Sequence, residues 1–298
     1  MLVKKISTIL RKPNVVMIYL VERCFKNIPD KIYLKMKYRL HLGKKIDLEY
    51  PKTFNEKLQW LKLNDRKPIY TDLVDKYKVR EYVSNKIGTE YLIPLIGVWE
   101  NFEDINFEEL PNKFVLKCTH DSGSVFICTD KQNLDIKYVQ KKINKALKRN
   151  YYYQHREWPY KNIKPMIICE KFLGNENKVP DDYKVLCFNG KAKLIGVHID
   201  RFGNHCLDNY DREWNKTKIA KDGPMSNNIY AKPKQFEKMI ELSEKLASIM
   251  CHVRIDWFII NEKLYFGEIT FYEAAGFDHF DNKDDDYLLG SWIELPKK

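Results

Sequence analysis

The sequence predicts a chain of alternating helices and strands, in the α/β or α+β class, and two observations predict it. Short continuous apolar runs, as in FVLKC and MIICEKF, have the composition of buried strands. They alternate with longer segments whose apolar residues recur at helical spacing. With 298 residues, of which 44% are hydrophobic and 31% charged, the chain is long enough for two compact domains.

The predicted helices lie at the start of the chain and between the strands. Residues 1 to about 50 are expected to be helical and strongly basic, ending near Gly43. Thr53 and Glu56 have the spacing of a capping box, so a helix should begin after Thr53. Further helices are expected over residues 73–83, 138–147 and 235–250.

Eight strands are predicted, at residues 92–98, 114–117, 125–128, 165–173, 185–188, 192–199, 253–260 and 264–270. Asn189-Gly190 is typical of a tight two-residue turn between two of them. We expect the earlier strands to form mixed pairs and the later ones antiparallel pairs. The periodicity alone does not distinguish α/β from α+β.

The charge balance favours an anionic partner. The chain carries 52 Lys and Arg against 41 Asp and Glu, a net charge of +11. Nucleotide phosphates, an acidic polymer, nucleic acid or the inner leaflet of a membrane would fit this charge, as would a solvated lysine-rich surface. No helix-turn-helix, zinc-finger or RNA-recognition motif accompanies it, so no nucleic-acid partner is expected.

The cysteines and the N-terminal segment bear on localisation. The seven cysteines are never spaced C-x-x-C, and several lie in apolar runs, which is typical of reduced thiols in a cytoplasmic protein. The apolar stretch 15–21 is too short to cross a bilayer. It is interpreted either as a helix packed on the body of the protein or as a basic amphipathic segment in peripheral contact with the inner membrane surface.

The segment RIDWFIINEKLYFGEIT is predicted to be a hairpin that carries the chemistry. Strand alternation puts Arg254 and Asp256 on one face of its first strand, and Glu268 and Thr270 on one face of its second. A three-residue loop over 261–263 would place Asp256 opposite Glu268 and Arg254 opposite Thr270, whereas a two-residue loop would break this facing. Two facing carboxylates in apolar strands need a cation, and oxygen ligands suit Mg²⁺ with nucleotide phosphates. The alternative is an edge hairpin with solvent-facing acids.

Six segments, in this order along the chain, resemble the ATP-grasp superfamily and specifically its TupA-like branch of teichuronopeptide biosynthesis. They are PKTFNEKLQWLKL, DKYKVREYV, FVLKCTHDSGSVF, EKFLG, DYKVLCFNGK and RIDWFIINEKLYFGEIT. The resemblance implies an α+β ATP-grasp fold, in which two α+β lobes hold ATP between them. It implies a basic helical segment over 1–74, an N-terminal lobe over 75–168 and a C-terminal lobe with the metal-binding hairpin over 169–298.

The same resemblance implies which residues form the site. The nucleotide-binding set is Lys76 (or Lys78 in its place), Lys117, Ser122, Gly123, Ser124, Glu170, Lys171, Phe172, Leu173, Glu176 and Asp182. The implied magnesium ligands are Asp256, Glu268 and Thr270, the last standing where the family usually has Asn. Lys184 is implied to contact phosphate, Arg254 to steady the acyl phosphate, and Gly276 to belong to an acceptor-side loop. The loop THDSGS has one glycine where many members have several.

The implied activity is an ATP- and magnesium-dependent ligase that joins a carboxylate to an amine through an acyl phosphate. Members of the branch occur in surface-polysaccharide gene clusters, where they are often labelled glycosyltransferases. This context implies modification of a cell-surface or capsular polysaccharide precursor, with an anionic small molecule or glycan as substrate.

Three other functions stay open at this point. The first is a glycosyltransferase. The acid cluster Asp284-Asp285-Asp286 is the one segment that resembles the metal-binding motif of such an enzyme, and it is interpreted as a solvated loop. The second is an ATP-grasp kinase, and the third a nucleotide-dependent scaffold. His120 and His252 are interpreted as structural histidines rather than acid–base groups.

Overall fold

The computed structural model describes residues 13–174, 182–199, 206–221 and 223–297, so the predicted ribose ligand Glu176 lies outside the described residues. The helices are α1 (Pro13–Cys24), α2 (Asp30–Leu42), α3 (Phe54–Asn64), α4 (Ile69–Val74), α5 (Val79–Ile87), α6 (Ile136–Leu147), α7 (Tyr152–His155), α8 (Phe236–Ala247) and α9 (Lys283–Ser291). The strands are β1 (Leu95–Trp99), β2 (Phe114–Cys118), β3 (Val125–Cys128), β4 (Ile167–Lys171), β5 (Asp182–Phe188), β6 (Lys191–Ile199), β7 (Cys206–Tyr210), β8 (His252–Ile260) and β9 (Lys263–Thr270).

The strands form two sheets, one of four strands in the order β1-β4-β2-β3 and one of five in the order β7-β6-β5-β8-β9. All the strand pairs in these two sheets are antiparallel. The predicted mixed pairing of the earlier strands is therefore wrong, and antiparallel sheets with separate helices make the fold α+β. Strand β4 belongs to the first sheet, so the boundary predicted after residue 168 falls inside a strand.

Two cores hold the two sheets. The larger core packs α3, α4, α5 and α8 against the five-stranded sheet, with Trp257 fully buried at its centre and donating a hydrogen bond to Ser243 Oγ at 2.8 Å. The smaller core lies between the four-stranded sheet and α6. Helices α3 to α5 thus pack with the second sheet although they precede the first sheet in the chain. Among the described residues, no helix is long and apolar enough to cross a membrane.

Local sequence signals explain most of the element boundaries. The capping box is confirmed: Thr53 Oγ1 accepts from the Glu56 amide, and the Glu56 carboxylate accepts from the Thr53 amide. Gly43 ends α2 in the left-handed conformation. The Asn189-Gly190 turn is also confirmed, with positive φ at both residues, as a two-residue hairpin turn of this hand requires.

The helix predicted over residues 73–83 is instead two helices, α4 and α5, separated by the turn 75–78. The side chain of Asp75 accepts hydrogen bonds from the amides of Tyr77 (2.8 Å) and Lys78 (3.2 Å), which replaces helical hydrogen bonding at this point. Lys76 lies in the break, and its amide donates to the Thr119 carbonyl at 3.1 Å. The break therefore fixes Lys76 beside the loop that follows β2.

The acid cluster near the C-terminus is not a solvated loop. Asp284, Asp285 and Asp286 form the first turn of α9, and Asp286 is buried. Its Oδ1 accepts from the Asn55 amide at 3.0 Å, and Lys44 lies 3.3 Å from its Oδ2. Asp286 thus caps the start of α3, which leaves it no role as a glycosyltransferase metal ligand.

Close approach of α9 to the start of α3 depends on Gly290. A Cβ at this position would lie 2.3 Å from the Lys52 carbonyl oxygen and 2.7 Å from the Phe54 nitrogen. We predict that Gly290→Ala lowers the free energy of unfolding by about 1–3 kcal/mol, because overpacking against backbone exceeds the gain in helix propensity. Denaturant unfolding measures this, with the exposed neighbour Ser291→Ala as the control. Equal stability of the two variants would contradict the packing argument.

Candidate active site

A cavity of about 420 Å³ lies between the two sheets and gathers most of the predicted nucleotide site. From the side of the four-stranded sheet it is lined by Lys76, Lys117, Ser122, Gly123, Glu170, Lys171, Phe172 and Leu173. From the side of the five-stranded sheet it is lined by Asp182, Asp256 and Glu268. The predicted residues of the described part that do not line it are Ser124, Lys184, Arg254, Thr270, the acceptor-side Gly276 and the alternative lysine Lys78.

The cavity combines apolar walls with charge. Ile93, Val115, Val125, Ile127 and Ile168 line it on one side and Phe258 on the other. Such walls accept a flat ring system, and the chain leaves β4 at Lys171 beside them. The arrangement can therefore hold a purine near residues 171–173 and phosphates near Lys76 and Lys117.

Lys117 and Glu170 form the charged centre of the first sheet. Lys117 Nζ lies 2.6 Å from Glu170 Oε2, and Arg80 Nη1 lies 3.2 Å from Glu170 Oε1. The two residues are on adjacent strands, because β2 pairs with β4. Glu170 thus orients the side chain of Lys117, which lines the cavity.

The loop 119–124 is held by the fully buried carboxylate of Asp121. Ser124 Oγ donates to its Oδ1, and Arg149 Nη2 donates to its Oδ2 at 2.7 Å. The Asp121 carbonyl accepts from Lys76 Nζ. Asp121 therefore holds the loop through its buried carboxylate and Lys76 through its backbone carbonyl.

The hairpin of β8 and β9 has a two-residue turn, Asn261 and Glu262, both with positive φ, so the predicted three-residue loop is wrong. A β-bulge between Ile255 and Trp257 corrects the register, and Arg254 still pairs with Thr270. In the bulge Asp256 faces both Gly267 and Glu268. A Cβ at Gly267 would lie 3.1 Å from the Asp256 carbonyl oxygen, so the bulge favours glycine here.

Arg254 is the hub of this hairpin. Its guanidinium contacts both carboxylate oxygens of Asp256, at 2.6 and 2.8 Å, and Glu268 Oε1 at 3.2 Å. It also donates to Thr270 Oγ1 at 3.2 Å and to Glu273 Oε1 at 3.4 Å. Part of the positive charge predicted to lie between Asp256 and Glu268 therefore comes from Arg254.

The ionic contacts of Arg254 extend into a buried network. Lys184 Nζ lies 3.9 Å from Asp256 Oδ2 and 3.7 Å from Asp182 Oδ2. On the other side, Lys221 Nζ lies 2.5 Å from Glu273 Oε2 and 3.6 Å from Asp278 Oδ2. Acidic and basic groups alternate along this network. Each buried group can stay ionised because a group of opposite charge lies close to it.

This environment sets the protonation of the two hairpin acids. Burial, together with Asp182 and Glu268, raises the pKa of Asp256 to about 6, against the opposing effect of Arg254 and Lys184. Burial also disfavours ionisation of Glu268, but nearby cations outweigh it and lower the pKa of that carboxyl. In order of effect these cations are Lys76, Arg254, Lys184 and Lys117. Both acids are therefore mainly anionic at neutral pH.

The donor set of the hairpin fits a magnesium ion that also binds a nucleotide. Within the described ranges, no three His, Cys, Asp or Glu side chains are grouped so as to hold a metal unaided. Magnesium usually takes one or two carboxylates and completes its shell with phosphates and water. The Glu268 side chain is 39% exposed, and each carboxylate oxygen has two lone pairs, so Arg254 and a cation can share these acids. Thr270 donates to Glu268 Oε1 at 3.3 Å, which orients that acid.

The loop after β9 is held under strain by one face of α3. Ala274 (φ 43°), Ala275 (φ 53°) and Gly276 (φ 67°) are consecutive left-handed residues, and each non-glycine residue in this conformation costs about 1–3 kcal/mol. Gln59 Nε2 donates to the carbonyls of Ala275 (3.0 Å) and Gly276 (2.7 Å), and Lys62 Nζ donates to that of Ala275 at 2.7 Å. The loop begins at Glu273, the partner of Arg254, so α3 positions it relative to the hairpin.

The two histidines have structural surroundings. His252 is buried between Phe54 (5.0 Å between ring centroids) and Phe188 (4.7 Å), and this burial lowers its pKa to about 4. His120 Nε2 lies 3.1 Å from the carbonyl oxygens of Ala146 and Arg149. Neither histidine lines the cavity.

Sequence reasoning missed several residues that hold the site. Arg80, Asp121 and Arg149 carry it through ion pairs or hydrogen bonds to residues far away in the chain. Gln59 and Lys62 lie within the segment PKTFNEKLQWLKL, but their partners follow β9. The sequence offered one signal: Asn55, Gln59 and Lys62 have helical spacing, so three polar residues share one face of α3. The structure buries all three side chains completely.

A family model described as TupA-like ATPgrasp matches residues 56–294. No curated protein matches the chain.

Among solved structures, similarity extends to a D-alanine–D-alanine ligase from Bacillus anthracis complexed with ATP, at 17% identity and a TM-score of 0.40, covering 66% of this chain and 54% of that one. A D-alanine–D-alanine ligase from Helicobacter pylori matches at 13% identity and a TM-score of 0.43, covering 81% and 69%. An N5-carboxyaminoimidazole synthase from Aspergillus clavatus matches at 14% identity and a TM-score of 0.39, covering 68% and 45%. The chain therefore spans little more than half the length of the Bacillus anthracis ligase.

The ion pairs of Arg254 with Asp256, Glu268 and Glu273 lead to a stability prediction. Arg254→Met leaves three buried or half-buried carboxylates without their shared cation, so we expect the free energy of unfolding to fall by about 3–5 kcal/mol. Arg212→Met is the control, because Arg212 makes an exposed ion pair with Glu237 and should cost about 1 kcal/mol or less. Denaturant unfolding at pH 7 compares them. A loss as small as that of the control would show that Arg254 does not hold the hairpin.

Proposed function

The chain belongs to the TupA-like ATP-grasp family, and on that premise we propose that it is an ATP- and magnesium-dependent ligase that joins a carboxylate to an amine. The observation that carries this proposal is the meeting of Lys76 and Lys117 with Asp256 and Glu268 around one cavity. Two cations from one side and two acids from the other match the needs of a nucleotide triphosphate with its metal. Backbone and loop groups at Ser122 and Gly123 complete the phosphate surroundings.

The reaction proceeds in two transfers. A carboxylate oxygen of the acceptor attacks the γ-phosphorus of ATP, the bond to the β–γ bridging oxygen breaks, and ADP leaves with the bonding electrons. An amine nitrogen then attacks the acyl carbon of the resulting acyl phosphate, inorganic phosphate leaves, and the nitrogen loses a proton to solvent. The protein acts mainly by positioning the reactants and offsetting charge, and no side chain acts as a nucleophile.

The residues divide into those that contact the reactants and those that position them. Lys76 and Lys117 offset phosphate charge. Asp256 and Glu268 would hold magnesium, which would supply positive charge to offset that of the phosphates. Arg254 and Lys184 are positioning residues, because their charged groups contact the acids and lie outside the lining of the cavity. These positioning roles differ from the expected ones, in which Lys184 contacts phosphate and Arg254 contacts the acyl phosphate.

The acceptor is an anionic small molecule or glycan, within the synthesis of a cell-surface or capsular polysaccharide. The net charge of +11 and the resemblance to the TupA-like branch support this choice. The enzyme acts in the cytoplasm. Helix α1 exposes Val15, Met17, Tyr19 and Leu20, which supports a peripheral contact with the inner membrane surface where lipid-carried precursors are found.

Product analysis tests the reaction type. With ATP, a panel of uronic acids and amino acids, and mass analysis, the ligase produces an amide together with ADP and free phosphate. A stable phosphate ester would instead identify a kinase. Cleavage of a UDP- or GDP-sugar without ATP would identify a glycosyltransferase, and either result would overturn the proposal.

Site variants provide the matched prediction. We expect Lys117→Ala and Glu268→Gln each to lower kcat for ATP consumption by about a hundredfold or more, because each removes charge stabilisation of the transferring phosphoryl group. Lys113→Ala, just before the same strand, and Glu262→Gln, in the turn of the same hairpin, serve as controls with unchanged turnover. Circular dichroism confirms folding of all four variants. Full turnover in both site variants would exclude this cavity as the site.

A further inference from the structure

A second, larger cleft lies beside the nucleotide cavity, with a volume of about 1280 Å³. It is bounded by α1, α6 and α7, by the loop 122–124 with the start of β3, and by residues 148–150. Single small ligands usually occupy pockets of roughly 300–1,000 Å³. The cleft therefore has room for an extended ligand.

The lining of the cleft is strongly basic. Its exposed basic side chains are Arg23, Lys26, Lys142, Lys145, Lys148 and Arg149. Glu22 is the acidic side chain of this lining, and Lys37 lies 2.5 Å from its carboxylate. A cleft of one charge sign concentrates ligands of the opposite sign, so its ligand carries several negative charges.

Aromatic rings accompany the basic groups. Tyr19, Phe126 and Tyr153 line the cleft, and Lys26 Nζ lies 5.7 Å from the centroid of the Tyr153 ring. Flat aromatic surfaces beside cations suit a ligand that alternates ring-shaped apolar faces with charged groups. An acidic oligosaccharide has this character, since each sugar ring presents a C–H face and each uronic acid a carboxylate.

The cleft shares part of its lining with the nucleotide cavity. Ser122, Gly123 and Val125 line both. Arg149, in the cleft, binds Asp121, and the carbonyl of Asp121 accepts from Lys76 in the nucleotide cavity. A ligand lying in the cleft would thus contact Ser122, Gly123 and Val125, which also border the nucleotide cavity.

We propose that this cleft binds the acceptor as an extended, carboxylate-bearing oligosaccharide. That the ligand is the acceptor rests on the proposed ligase function. The chemical class of the ligand rests on the charge, aromatic lining and volume of the cleft. The exposed lysines of α6 supply the binding charge, while Arg149 couples the cleft to the loop.

The test is binding of a fluorescein-labelled oligoglucuronate to the full chain, measured by fluorescence anisotropy at about 0.1 M salt with ADP and magnesium present. The double variant Lys145→Glu/Lys148→Glu should weaken binding by about tenfold or more. Lys137→Glu/Lys141→Glu is the matched control, because both lysines are exposed on the same helix outside the cleft and the charge change is equal. Equal melting temperatures of the two double variants show that folding is intact.

Two further arms separate the outcomes. Polyglutamate and single-stranded DNA of equal charge should compete more weakly than oligoglucuronate, and tighter binding of either would overturn the oligosaccharide assignment. Equal weakening by both double variants would overturn the cleft itself. Oligoglucuronate binding that responds to Lys145 and Lys148 in a protein without ligase activity would uphold the cleft and refute the proposed function, so the two failures are distinguishable.

Discussion

A buried guanidinium, that of Arg254, is the interaction on which the rest of the site depends. It holds Asp256 through two short contacts and reaches Glu268, Thr270 and Glu273 from the same planar group. Such a planar fork presents five donors in fixed directions, whereas a lysine presents three on a flexible stem. Removing charges from water is costly, so these acids remain ionised in the interior because each has a cation close by. Their ordered arrangement is what a magnesium–nucleotide complex requires.

The same design, a buried polar side chain that fixes a loop, recurs on both sides of the cavity. Beside the four-stranded sheet, Asp121 holds the loop 119–124 and Lys76. Beside the five-stranded sheet, Gln59 and Lys62 of α3 hold the left-handed loop that follows β9. Both loops therefore keep their shape through hydrogen bonds with buried side chains rather than through runs of glycine. This accounts for a loop with a single glycine at the phosphates.

The sequence predicted those parts of the site that follow from local rules. Alternation along a strand gave the shared faces of Arg254, Asp256, Glu268 and Thr270, and the capping box gave the start of α3. The bulge at Gly267 could not be predicted, since it depends on the close approach of the Asp256 backbone across the hairpin. The partners of Lys184, Asp121 and Asp286 were missed for the same reason, because ion pairs and caps between distant segments leave no periodic pattern. Charge alone likewise did not show that the basic residues of α1 and α6 would border one cleft.

Magnesium dependence of nucleotide binding tests the central claim most directly, namely that the acids held by Arg254 receive the metal of a bound nucleotide. Calorimetric titration of a non-hydrolysable ATP analogue, with and without magnesium, should show about tenfold tighter binding with the metal, a difference of 1.4 kcal/mol. Asp256→Asn should abolish this difference while metal-free binding stays close to that of the wild-type protein. Equal affinity of the wild-type protein with and without magnesium would contradict the account.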